Sequence, residues 1–172
     1  EMANSDQLDS DGDGIGDVCD PLAPCINGMA DIYPCDGYDL MSYMSLEDLT
    51  PTGTGSLSGN DSWGWTDPTT NKEYALVGLN SHAAFVDISN PVAPILLGVL
   101  PTATVNSSWR DIKVYQNHAF IVSEANSHGM QVFDLTRLRS VASPPEIFTA
   151  DFHFTEFGSA HNIFINETSG YA

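Results

Sequence analysis

Basic residues are scarce in this sequence: five Lys and Arg stand against 23 Asp and Glu, for a formal net charge of −18 over 172 residues. No base occurs before Lys72. A patch able to neutralise phosphates cannot form in that first part, so nucleic acid is not an expected partner. Long apolar runs are missing too. The longest, Pro94 to Pro101, is broken by Gly98 and is far shorter than the roughly 20 residues of a membrane-spanning helix. There is no signal peptide, and because the chain opens on Glu1 rather than Met it is expected to be a processed or excised piece. H-E-x-x-H, G-x-S-x-G and glycine-rich phosphate loops are all absent. Cysteine is limited to Cys19, Cys25 and Cys35, all in the acidic first third. What remains is ordinary for a globular chain: 42% hydrophobic and 10% aromatic residues, in a length that suits one domain with a core.

The acidity is concentrated in N-S-D-Q-L-D-S-D-G-D-G-I-G-D-V-C-D, Asn4 to Asp20, where six carboxylates alternate with glycines and meet no base. Carboxylates at this density repel unless a hard cation offsets them, and calcium takes six to eight oxygen ligands from flexible loops. With Asp9 as position 1 of a twelve-residue calcium loop, Asp11 falls at 3, Asp13 at 5, Gly14 at the turn position 6, the Ile15 carbonyl at 7, Asp17 at 9 and Asp20 at 12. The predicted calcium ligands are therefore Asp9, Asp11, Asp13, Ile15, Asp17 and Asp20. An EF-hand would have Glu at the last position and helices on both sides. Here only eight residues precede Asp9, and Pro21 prevents a helix from leaving Asp20. Together with Gln7, Gly16 and Cys19, the run resembles a thrombospondin type 3 repeat.

From about Ser62 the texture changes to short β-type runs between Asn, Ser, Gly and Pro, with no helical stretch of convincing length. Strands are predicted at Trp63 to Asp67, Glu73 to Leu79, Ala83 to Ile88, Pro94 to Leu100, Asp111 to Tyr115, Ala119 to Glu124, Met130 to Leu135 and Asn162 to Asn166. The runs repeat: Ala75-Leu76-Val77 matches Phe120-Ile121-Val122, Asn80-Ser81-His82 matches Asn126-Ser127-His128, and Phe85-Val86-Asp87-Ile88 matches Val132-Phe133-Asp134-Leu135. A drifting period in the mid-forties with several antiparallel strands per unit is the spacing of propeller blades. The expected organisation is a calcium loop over 1–21, a cysteine-containing connection over 22–61, and blades over 62–172. The third blade would stop just as its second strand begins, which leaves a partial β-propeller in an all-β chain.

The connecting segment, with W-G-W-T-D-P, E-Y-A-L-V-G-L, F-V-D-I, S-W-R-D-I-K-V-Y, H-A-F-I-V-S-E-A, H-G-M-Q-V-F-D-L and H-N-I-F-I-N-E, resembles the choice-of-anchor B family, secreted bacterial proteins built on LVIVD-type propeller repeats. The resemblance runs over about residues 25–172. It implies a propeller and a secreted or cell-surface location, and it brings no activity with it.

Cys25 and Cys35 flank Asn27-Gly28 and Pro34, so a disulfide between them is geometrically easy. The partner of Cys19 is then missing, intermolecular, or one of the other two cysteines in a different pairing. In thrombospondin-type repeats that position usually bonds a cysteine of a neighbouring repeat. Sequons at Asn60, Asn106 and Asn166 permit glycosylation in a suitable host. Met29, Met41 and Met44 with Leu40, Tyr43 and Leu46 suggest a short amphipathic turn of helix.

His82 and His128 fall at equivalent turn positions, as a structural repeat would place them, and Asp87 and Asp134 read as turn caps. Trp63, Trp65 and Trp109 read as core packing between blades, with carbohydrate stacking as the functional alternative. The leading expectation is an extracellular calcium-binding structural or adhesion module that associates with itself or with other surface proteins, extending to a filament. The alternative is a secreted hydrolase with Arg110, Asp111, Glu124, His128 and His161 on an open propeller face.

Overall fold

The computed structural model describes residues 23–51 and 57–172, which are almost entirely strands and turns. The described residues divide into two compact units, those within 1–44 together with 90–94, and those within 45–89 together with 95–172. In the first unit, β1 (Met29–Ala30) and β2 (Tyr33–Pro34) form a short antiparallel hairpin. Asn27 and Gly28 both take positive φ, 54° and 82°, the turn geometry for which Asn-Gly is favoured. The Cys25–Cys35 disulfide closes this loop, as the spacing predicts. Ala23 and Leu40 exchange backbone hydrogen bonds of 3.0 and 2.9 Å beneath it. No helix forms over 40–44, contrary to the expectation from the methionines. In the second unit, one capped turn follows at Ser45 to Leu49, where Ser45 and Asp48 bond each other's backbone amides.

The second unit contains two four-stranded antiparallel meanders. The first is β3 (Gly59–Thr66), β4 (Glu73–Leu79), β5 (His82–Asp87) and β6 (Ile95–Pro101); the second begins with β7 (Arg110–Tyr115), β8 (His118–Ser123) and β9 (Met130–Asp134). A 3-10 helix, Leu135–Ser140, follows β9 with Asp134 as its N-cap. The chain then crosses to the first sheet as β10 (Glu146–Ile147), parallel to β6, and returns as β11 (Phe152–Phe154) on the edge of β9. The predicted strands up to Met130 are present with boundaries shifted by a few residues at most. The segment Asn162 to Asn166 is not a strand and carries only an isolated bridge between Asn166 and Tyr171. The short strands β10 and β11 have no legible period, and β10 depends on a glycine. A Cβ at Gly98 would strike the Glu146 carbonyl and lie 2.6 Å from the Phe148 ring.

The core lies between the meanders. Phe85 of the first stacks on Phe133 of the second at 4.6 Å between centroids, Phe148 covers both, and Leu76, Ile112, Ile121 and Leu135 are fully buried around them. Each such side chain contributes about 1.5–3 kcal/mol on burial. Polar bonds fasten the same interface. The Arg139 guanidinium grips the Asp67 carboxylate with contacts of 2.7 and 2.6 Å, and the Trp65 indole donates to Asn117 Oδ1. The all-β class is thus observed, in the second unit, as two packed sheets that are antiparallel except for β10.

Candidate functional site

The six predicted calcium ligands, Asp9, Asp11, Asp13, Ile15, Asp17 and Asp20, lie outside the described residues, as does Cys19. Among the described residues, no group of three or more His, Cys, Asp or Glu side chains is placed to hold a metal ion.

The candidate hydrolase residues gather at one end of the two sheets, where β4, β6 and β8 finish and β5, β7 and β9 begin. Hydrogen bonds divide them into three groups. Arg110, the first residue of β7, lies across Gly78 of β4, where its Cγ and Cδ would be 3.5 Å from an added Cβ. It donates through Nε to the Leu79 carbonyl at 2.9 Å and through Nη1 to His128 Nε2 at 3.2 Å. The His128 Nδ1–H donates to the Gly129 carbonyl, so its Nε2 is the acceptor and the ring is neutral. Burial pushes the His128 pKa down and lowers that of Arg110 to about 10.

Asp111 forms the second group. Its carboxylate takes the Lys113 ammonium at 2.7 Å and the Ile163 amide at 2.6 Å. Burial opposes its charge, but the bonds it accepts from the Ile163 amide and the Lys113 ammonium, which also reaches Asp61, hold the carboxyl below the usual carboxylate range. Asp61 of β3 does the same one sheet earlier, accepting from the Ile112 amide at 2.9 Å, while Asn60 accepts from the Arg110 amide. Asp61 and Asn60 were not anticipated from the sequence. Their signal was present in the 50-residue spacing of Asp61 and Asp111, each on the first strand of its sheet, at the sheet's edge.

Glu124 and His161 form the third group, joined at 2.7 Å and exposed, with the Trp109 ring 5.3 Å from the imidazole. A carboxylate that orients an imidazole in this way can assist proton transfer. Only one of the three tryptophans packs as core: Trp65 is buried and stacked on Tyr74 at 5.0 Å. Trp63 and Trp109 are exposed, and Lys113 Nζ sits 4.5 Å over the Trp63 ring. Trp63 lies within the edge strand β3 and Trp109 just before the edge strand β7, and both rings meet solvent. Asp87 and Asp134 cap turns as predicted, accepting from the Ser89 and Thr136 amides.

A groove of about 510 Å³ runs along the second sheet, lined mainly by Val122, Met130, Phe154, Phe157, Ile163 and Phe164. No helix among the described residues is long and apolar enough to cross a membrane. Comparison with protein-family models, with curated proteins and with solved structures finds no match for the chain.

Proposed function

We propose that this chain is an extracellular, calcium-stabilised structural module whose sheets are successive propeller-type blades used for adhesion or assembly at a cell surface. The observation that carries the reading is the repeated carboxylate clamp. Asp61 of the first sheet holds the Ile112 amide, and Asp111 of the second holds the Ile163 amide. The conspicuous polar residues are thereby used to fasten one repeat to the next, which is the economy of a scaffold. The disulfide of the first unit suits an oxidising compartment outside the cell. Calcium belongs to the acidic loop. Asp9, Asp11, Asp13, Asp17 and Asp20 would supply carboxylates and Ile15 its carbonyl, and the cation would relieve their mutual repulsion.

Isothermal calorimetry tests the calcium part. The chain is expected to bind calcium with an affinity suited to the millimolar concentrations outside cells, and the double substitution Asp11→Ala, Asp13→Ala is expected to abolish the heat. Unchanged uptake in that variant would remove the loop from the proposal.

A further inference from the structure

Four of the five bases in this chain have a carboxylate. Lys72 pairs with Asp87, Lys113 with Asp111 and Asp61, Arg137 with Asp151, and Arg139 with Asp67. Arg110 is the fifth, and it is the most deeply buried, with 1% of its surface exposed. Its partners are a carbonyl and a neutral imidazole, and its Nη2 atom is buried with no hydrogen-bond partner. In a chain of net charge −18 no acidic side chain among the described residues ion-pairs with this cation. A buried charge without a counter-ion is strongly destabilising.

Further buried polar atoms without a partner occur at the same end of the sheets. They are the hydroxyls of Thr102 and Thr104, in the connection after β6, and Oε1 of Gln131 in β9. The Gln131 amide donates to the Pro101 carbonyl at 3.0 Å, the Thr102 amide to Ser81, and Arg110 to Leu79 beside that same hairpin tip. Burial without a partner calls for an ion or an ordered water. The guanidinium N–H carries an uncompensated positive charge and the two hydroxyls can donate, and that chemistry selects an anion over a cation or a neutral molecule.

We propose that Arg110, Thr102 and Thr104 form a buried site for a small monovalent inorganic anion of halide size. The enclosure of Arg110 keeps out larger organic acids. The anion receives Nη2–H and the threonine hydroxyls, and a neighbouring water serves Gln131 Oε1. This site lies apart from the calcium loop, and it would fix the hairpin tip of the first sheet to β7 and β9 of the second.

The test is urea unfolding of the full chain at constant sodium, calcium and ionic strength, with chloride replacing isethionate. Chloride is expected to raise the folded-to-unfolded ratio, approaching about tenfold per tenfold chloride above its Kd, and to show ³⁵Cl line broadening in the presence of the folded chain. Arg110→Gln is expected to abolish both effects. If that variant does not fold, the double substitution Thr102→Val, Thr104→Val carries the test and is expected to lose most of the chloride dependence. Stability independent of chloride, with no line broadening, would overturn the site and leave water at Nη2. A chloride dependence that survives in the threonine variant would overturn it as well.

Discussion

His82 and His128 are each held in one neutral tautomer. His82 Nε2–H donates to the Leu49 carbonyl while Nδ1 accepts from Ser81, and His128 accepts from Arg110 while donating to Gly129. Adding a proton would break an accepted bond in either ring and, at His128, set a second cation against Arg110. Burial depresses both pKa values, with the Arg110 charge acting in the same direction. The sign follows from linkage: the unfolded chain, with ordinary histidines near pH 6.5, binds protons that the folded chain refuses, so stability falls as pH drops below about 6.5. The lowered carboxyls of Asp67, Asp87, Asp111 and Asp134 add a second loss, confined to pH below about 4. Urea unfolding at pH 7.5 and 5.5 should give the lower stability at 5.5, and a His82→Gln, His128→Gln pair should flatten the difference. Equal stability of the wild-type chain at both values would contradict the tautomer assignment. The matched Asn-Ser-His positions already indicated a structural role for both rings. Their partners were not legible, because Leu49 and Arg110 reach them only after the sheets pack.

At the scale of elements, strands with alternating burial were legible and pairings across the chain were not. β4 runs from Glu73 to Leu79 as its E-Y-A-L-V-G-L pattern predicts, with Tyr74, Leu76, Gly78 and Leu79 buried. Asn162 to Asn166 has a short apolar run yet forms no strand: its Ile163 amide goes to the Asp111 side chain, its Asn166 amide to the Tyr171 carbonyl in an isolated bridge, and no neighbouring ladder pairs along its length. Residues 110–115 are a strand in part because β8 lies beside them. The Asp61 clamp is the point at which this interdependence can be measured. Its carboxylate serves the buried Ile112 amide and, at 3.4 Å, the Lys113 ammonium. Asp61→Ala leaves a buried N–H without its acceptor, and a loss of about 1–3 kcal/mol in urea unfolding is expected. Asp61→Asn retains a carbonyl acceptor and should lose less. Equal losses in both variants would assign the effect to the Lys113 charge rather than to the amide bond.

At the scale of the whole molecule, two opposing properties bear on the proposed self-association. Apolar rings are exposed along the second sheet, including Phe164 at 78% and Phe152 at 58%, beside the groove that Phe154 and Phe157 line. Patches of this kind mark surfaces that other proteins cover. Against contact stands a net charge of −18 on each copy, which repels a second copy at long range. On the proposed reading the acidic loop joins these properties, since calcium bound there would remove negative charge. A second copy of the chain is therefore expected to dock more readily when calcium is present, and a head-to-tail contact that does not close into a ring would propagate as a filament. Light scattering across a calcium titration should show apparent mass rising with calcium at fixed ionic strength. Phe164→Ser, which removes an exposed ring and leaves the Ile163 amide bond intact, should suppress that rise without lowering calcium uptake. A chain that stays monomeric and folds cooperatively with and without calcium would remove assembly from the proposed function and leave a self-contained pair of sheets.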